Sequence, residues 1–172
     1  MSVWRRFEGH GYPSLVTTNV AGRRPIFRSP DPAATLLETI AEVQQQEGID
    51  LLAWVIMPDH LHLVLQLPPG VRLGRVMQLI KGRFAHRYNR SRAGGGPVWQ
   101  SRYHERGLRS SEQLVAAIRY VHYNPVVAGL AHEPEAYPWS SAAAAPPAPC
   151  QAEEPDPQEG PPQSLTSDLV SC

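Results

Sequence analysis

Two short apolar segments separated by only two residues constrain the fold of this chain more than any other feature. Residues 51–57 read LLAWVIM and residues 60–67 read HLHLVLQL, with Pro58 and Asp59 between them. Both segments have the length and apolar composition of buried β-strands, and a Pro-Asp pair interrupts a strand. We assign Asp59 to the turn. The sequence therefore predicts two neighbouring antiparallel strands.

The second of these strands carries two histidines at positions where apolar residues would be expected. His60 and His62 are two residues apart, so in a strand both imidazoles leave the same face of the sheet, with Cα atoms about 7 Å apart. Such a pair can share one metal ion.

Periodicity and turn residues place the remaining elements around this pair of strands. Strands are predicted at residues 14–20, 51–57, 60–67 and 98–108, and helices at 33–46, 71–89 and 110–123. Pro125 bars a regular continuation of the last helix, although a kinked or restarted turn through Val127 is open. The order β-α-β-β-α-β-α predicts an α+β sandwich with a mainly antiparallel sheet of four or five strands and helices packed against it.

Charge is divided unevenly along the chain. Residues 1–140 hold all 16 basic residues but 11 of the 16 acidic ones. Between residues 69 and 119 there are eleven basic residues, ten of them Arg, against two acidic ones. This density favours a polyanionic partner, and a guanidinium suits phosphate oxygens; a solvated basic face without a partner is the alternative.

The end of the chain has a different composition. Residues 142–172 are rich in Pro, Ala and acidic residues, so we expect a disordered acidic tail after a domain formed by residues 1–141. The tail is interpreted as a solubilising end or as a mimic of DNA. Both cysteines lie in it, which indicates no disulfide framework. No apolar run approaches the roughly 18 residues of a membrane helix, and we expect a cytoplasmic protein.

The last predicted helix carries a second pair of polar residues, within the sequence RYVHYNP. Tyr120 and Asn124 are four residues apart and so lie on one helical face, about 6 Å from each other. If that face lies over His60 and His62, two imidazoles and an amide oxygen would hold a divalent ion beside a phenol. A dication favours the phenolate and withdraws charge from a phosphodiester, which predicts attack by the tyrosine and a covalent phosphotyrosine.

Five segments in unbroken order, within residues 11–141, resemble the REP-associated tyrosine transposases, which are relatives of the HUH-type single-strand transposases. The segments are MPDHLHLVLQLP, LIKGRFAHRYN, VWQSRYHERGL, RYVHYNPVVAGL and EAYPWSS. The resemblance implies the HUH endonuclease (ferredoxin-like) fold. It also implies cleavage of single-stranded DNA at hairpin-forming palindromes through a 5′-phosphotyrosine.

The resemblance assigns roles to individual residues. It implies that His60 and His62 bind Mg²⁺ or Mn²⁺, that Asn124 is the third ligand, and that Tyr120 is the nucleophile. It further implies a bacterial protein that acts as a monomer on nucleoid DNA.

Other residues are candidates for contacts to single-stranded or hairpin DNA. Basic side chains would contact phosphates, and two aromatic rings would stack on unpaired bases. These candidates are Arg72, Arg75, Lys81, Arg83, Arg87, Arg102, Arg106, Trp99 and Tyr103.

Three alternatives stay open from the sequence. Tyr123 is a rival nucleophile on the same helix, although its side chain points about 100° away from Asn124. The chain could instead be an idle, domesticated protein that only binds DNA or RNA hairpins. A zinc hydrolase unrelated to DNA would also use two histidines, but it leaves the basic residues unexplained.

Overall fold

The fold is built on a four-stranded antiparallel sheet. The computed structural model describes residues 11–143 of the 172-residue chain. The strands are β1 (Ser14–Asn19), β2 (Asp50–Met57), β3 (His60–Gln66) and β4 (His104–Gly107), and their order in the sheet is β2-β3-β1-β4. The predicted α+β architecture, strand pair and element order are confirmed. The predicted tail lies outside the described residues except for its first two, Ala142 and Ala143.

Helices cover both faces of this sheet. The long helices α1 (Pro30–Glu47) and α2 (Leu73–Ser91) pack on one face, over alternate residues of β3 that include Leu61 and Leu63. The helix α3 (Ser111–Val127) packs on the other face, which includes Val64. Because side chains alternate along β3, His60 and His62 share the face of Val64 and therefore face the layer of α3.

The last helix is longer than the sequence indicated. The structure continues α3 to Val127, through Pro125. A proline lacks only its own N–H, and the following turn stays bonded: the Ala128 N–H donates to the Asn124 carbonyl, and the Leu130 N–H donates to the Pro125 carbonyl. Pro125 is also buried, so packing offsets the one lost hydrogen bond.

The predicted strand at residues 98–108 is wrong over its first half. Only His104–Gly107 forms a strand, and residues 98–103 make a single isolated bridge, between Trp99 and Val20. Two backbone hydrogen bonds form this bridge, from the Ala21 N–H to the Val98 carbonyl and from the Gln100 N–H to the Asn19 carbonyl. Beyond it a side chain binds the backbone, since Lys81 Nζ donates to the carbonyls of Gln100 and Ser101. This segment is therefore held between the sheet and α2 without regular pairing.

The end of the described chain covers one edge of the sheet. The Ile56 N–H of β2 donates to the Trp139 carbonyl, and the Ser141 N–H donates to the Trp54 carbonyl. Tyr137 Oη also donates to the Ile56 carbonyl, at 2.9 Å. The segment EAYPWSS thus protects β2 from pairing with another chain.

Candidate active site

The site begins with the two histidines of β3, whose rings lie side by side as the strand spacing predicts. The ring centroids of His60 and His62 are 4.8 Å apart and the rings are nearly perpendicular. His60 starts the strand and is partly exposed, whereas His62 is 4% exposed. The strand therefore presents one imidazole at its end and a second one deeper in the protein.

A hydrogen bond to Nδ1 fixes each of these rings. His60 Nδ1 lies 2.6 Å from Asp59 Oδ1, and His62 Nδ1 lies 2.7 Å from Thr17 Oγ1. Thr17 is the direct cross-strand partner of His62 in the β1–β3 pairing. When Nδ1–H donates, Nε2 keeps its lone pair, and this is the tautomer that a metal ligand needs.

The buried nitrogen of His62 has no partner of its own. Among the described residues, nothing hydrogen bonds to its Nε2, although the atom is shielded from solvent. Burial, followed by the charges of His60 and Arg23, lowers the pKa of His62 from 6.5 to about 4. The ring is therefore neutral at neutral pH, with a lone pair that a cation would satisfy.

The phenol of Tyr120 lies against this pair. The ring centroids of Tyr120 and His62 are 5.3 Å apart, in an edge-to-face arrangement. Tyr120 is 50% exposed, so the residue is accessible from solvent. Asn124 follows one helical turn later on the same face of α3 and is half-buried. The structure thus brings together His60, His62 and Tyr120, and the helical spacing places Asn124 one turn further along the same face of α3.

The donors suit an open cation site. Within residues 11–143, no three His, Cys, Asp or Glu side chains are grouped so that they could hold a metal. Two imidazoles and the amide oxygen of Asn124 would leave further positions for water and phosphate oxygens, as a catalytic site requires. The Asp59 carboxylate can only accept, so His60 carries its proton on Nδ1 and keeps the lone pair of Nε2. This lone pair and the orphaned Nε2 of His62 fit a divalent cation.

The rival tyrosine has a different environment. Tyr123 is 45% exposed, and the Arg119 guanidinium lies 5.5 Å from the centre of its ring. His122 forms a hydrogen bond with Ser141 Oγ, at 2.9 Å. Neither side chain has a contact with the histidine pair among those described.

Most of the basic candidates on α2 are bound to other parts of the fold. Arg75 pairs with Glu47, and Arg87 pairs with Glu42, which places both against α1. Arg83 also reaches α1, through Gln46 and Glu42, and Lys81 holds residues 100 and 101. These side chains lie in the helical layer on the sheet face opposite to Tyr120.

The other candidates are distributed around the sheet. Arg72, Arg102 and Arg106 are exposed. Arg106 pairs across the sheet with Leu15, on the face of α3, so its side chain shares a face with His62. Trp99 is 7% exposed and packs against Phe27, and Tyr103 is half-buried beside α2. Stacking of bases on these two rings stays a prediction.

Sequence reasoning missed two residues that hold the histidines. Thr17 gave no signal, because its role follows from a strand register across 45 positions. Asp59 was assigned to the turn, but its carboxylate also bonds to His60 and to Arg23 Nε. A carboxylate directly before a candidate ligand was the signal available for it.

Comparison with known proteins finds a matching family model and similar sequences. The sequence matches the model of the family described as "Transposase IS200 like" over residues 15–124. A REP-associated tyrosine transposase of Escherichia coli K12 is 27% identical over 142 residues, which cover 82% of each chain. A candidate REP-associated tyrosine transposase of Haemophilus influenzae Rd is 30% identical over 102 residues, or 54% of this chain and 58% of that one.

A solved structure has the same fold. It is a REP-associated tyrosine transposase bound to a REP hairpin, with a TM-score of 0.69 and 25% sequence identity over 78% of this chain and 79% of that chain. No helix within residues 11–143 combines the length and apolar character needed to cross a bilayer.

Proposed function

The chain belongs to the IS200-like transposase family, and from this we propose that it cuts and rejoins single-stranded DNA with Tyr120 as the nucleophile. His60, His62 and Asn124 are the proposed ligands of Mg²⁺ or Mn²⁺. The observation that carries this proposal is the contact between the accessible Tyr120 ring and the buried His62 ring, 5.3 Å apart.

The proposed reaction exchanges one phosphodiester for another. The Tyr120 oxygen attacks the phosphorus and forms a tyrosine 5′-phosphodiester, while the bond from phosphorus to the 3′-oxygen breaks. Tyr120 gives its proton to solvent, and the departing 3′-oxygen takes one up. A second 3′-hydroxyl can reverse the step, so strands are rejoined without ATP.

Each residue has a separate role in the proposed reaction, which depends on its position. Asp59 and Thr17 hold the imidazoles, and α3 holds Tyr120 against His62. A bound divalent cation would supply positive charge to the phosphate oxygens and favour the phenolate of Tyr120. The half-exposed position of Tyr120 admits a DNA strand from solvent.

We propose hairpin DNA as the substrate and a monomer as the active form. The solved relative is bound to a REP hairpin, which supports this substrate class. The histidines and Tyr120 meet within one chain, so a second copy is not needed to complete the site. Light scattering at working concentrations tests the monomer.

A denaturing gel tests the proposed chemistry. The full chain is incubated with labelled hairpin oligonucleotides and Mn²⁺, and we expect a protease-sensitive DNA band that disappears in EDTA and in Tyr120→Phe. Tyr123→Phe is the matched control and should keep the band. Tight hairpin binding in EDTA with no adduct under any condition would favour the binding protein without catalysis.

A further inference from the structure

Arg23 has a positive φ angle, which is unusual for a residue other than glycine. It follows β1 in a short 3-10 turn with φ of 53°, next to Gly22 with φ of 65°. Residues with a Cβ avoid this left-handed region. The Arg23 side chain is 53% exposed, so packing in the core does not offset the strain. Strain of this kind is concentrated at functional sites.

The strained turn holds the guanidinium beside the histidine pair. Arg23 Nε lies 3.0 Å from Asp59 Oδ2, and Nη1 donates to Asn19 Oδ1. The other oxygen of Asp59 is bonded to His60 Nδ1. The Asp59 carboxylate therefore bridges Arg23 and His60. The charge of Arg23 also contributes to the lowered pKa of His62.

The guanidinium keeps capacity for a ligand. It has five N–H donors, and the described contacts use Nε–H and one hydrogen of Nη1. The side chain as a whole is 53% exposed, so solvent and a ligand can approach it. The Arg23 end of the Arg23–Asp59 pair is exposed, whereas the Asp59 carboxylate is half-buried. A planar guanidinium with N–H groups that the described contacts do not use binds phosphate oxygens well.

We propose that Arg23 is a substrate-binding residue that contacts a backbone phosphate of single-stranded DNA next to the bond attacked by Tyr120. This proposal rests on the proposed function of the site. The Asp59 carboxylate then has two roles, because it orients His60 and fixes the direction of the Arg23 guanidinium.

The salt dependence of DNA binding tests this contact without any metal. Affinity of the full chain for a hairpin oligonucleotide with a single-stranded flank is measured in EDTA over a range of KCl concentrations. Loss of one contact to a single strand should reduce the slope of log K against log[salt] by about 0.7 in Arg23→Gln. Arg75→Gln is the matched control, since it also removes an exposed guanidinium whose Nε pairs with a carboxylate, at 2.9 Å.

An unchanged slope in Arg23→Gln, or an equal loss in Arg75→Gln, would overturn the proposal. Mn²⁺ affinity, followed by electron paramagnetic resonance, separates it from a merely structural role. We expect Arg23→Gln to bind Mn²⁺ at least as tightly as the wild type does, because the positive charge of Arg23 opposes a cation at His62. A tenfold loss of Mn²⁺ affinity with an unchanged salt slope would show that Arg23 only positions Asp59.

Replacement by glycine tests the strain argument. Because glycine adopts positive φ freely, Arg23→Gly should melt no lower than the wild type and yet lose the same salt slope as Arg23→Gln. A clear fall in melting temperature would mean that the fold itself needs Arg23. The wild type could form no adduct while Arg23→Gln still reduces the slope of log K against log[salt]. That result would contradict the proposed reaction of Tyr120 but would support the phosphate contact of Arg23.

Discussion

At the scale of single residues, the site depends on which nitrogen of each imidazole is free. Asp59 and Thr17 occupy Nδ1 of His60 and His62, so both Nε2 atoms are left for a ligand. Partners of this kind usually change metal affinity by about 10- to 100-fold when removed. The orienting residues Asp59 and Thr17 are therefore testable apart from the proposed ligands.

Thr17→Val should weaken Mn²⁺ binding by about tenfold or more, because the isosteric side chain cannot bond to His62 Nδ1. Thr18→Val is the matched control. Thr18 is buried, and its Oγ1 has no hydrogen-bond partner within the described residues, so its loss should leave Mn²⁺ affinity unchanged and stability equal or higher. Titration calorimetry measures both variants, and equal affinity for Thr17→Val and the wild type would contradict the role of Thr17.

The sequence identified the histidines and Tyr120 as candidates because the shared faces of these residues follow from local spacing. Residues i and i+2 of a strand share a face, and residues i and i+4 of a helix do the same. Thr17 and Arg23 could not be found in this way. Their contacts with His62 and Asp59 cross 45 and 36 positions of the chain and depend on the folded turn and register.

At the scale of elements, α3 decides where the phenol lies. It begins at the N-cap Ser110, whose Oγ accepts a hydrogen bond from the Gln113 N–H at 3.3 Å. It packs on the sheet through residues such as Leu114 and Val121. A helix fixed at its start and along its buried face holds Tyr120 against His62.

Ser110→Ala should destabilise the protein by about 1 kcal/mol, since it leaves an N–H of the first turn without its cap. Ser111→Ala is the control, because the Ser111 hydroxyl only contacts the exposed Glu112 and should matter by less than about 0.5 kcal/mol. Urea denaturation measures both. Equal stability of the two variants would show that the cap does not hold α3.

The helices and strands were predicted correctly where the apolar residues follow one helical or strand period. They were predicted poorly where tertiary contacts determine the backbone conformation. Strands β2 and β3 and helices α1 and α2 follow their apolar patterns. Residues 98–103 carry a strand-like composition, but Lys81 and the core contacts of Trp99 hold them in an irregular path. Pro125 indicated a helix end, yet the buried site of that proline keeps the helix continuous.

At the scale of the whole molecule, the sheet separates the basic helix α2 from the candidate active site, because the two lie on opposite faces. Much of the positive charge of α2 is neutralised by α1, through pairs such as Arg87–Glu42 and Arg75–Glu47. The histidines, Tyr120 and Arg106 belong to the other face. A high density of basic residues in the sequence therefore does not by itself locate the DNA.

This arrangement predicts unequal effects of two arginine variants. Arg106→Gln should weaken hairpin binding and reduce the salt slope by about 0.7, because Arg106 is exposed on the face of the site. Arg87→Gln should change the slope little and cost less than about 1 kcal/mol of stability. Fluorescence anisotropy at several salt concentrations measures both slopes, and a larger loss for Arg87→Gln would place the DNA on the helical layer instead.

Peptide mapping of the covalent adduct shows which side chain of the protein is the nucleophile. The wild-type chain is reacted with a hairpin oligonucleotide and Mn²⁺, digested with nuclease and protease, and analysed by mass spectrometry. We predict a nucleotide 5′-phosphate on Tyr120 and none on Tyr123. A nucleotide on Tyr123, or an adduct on any other residue, would show that Tyr120 is not the nucleophile.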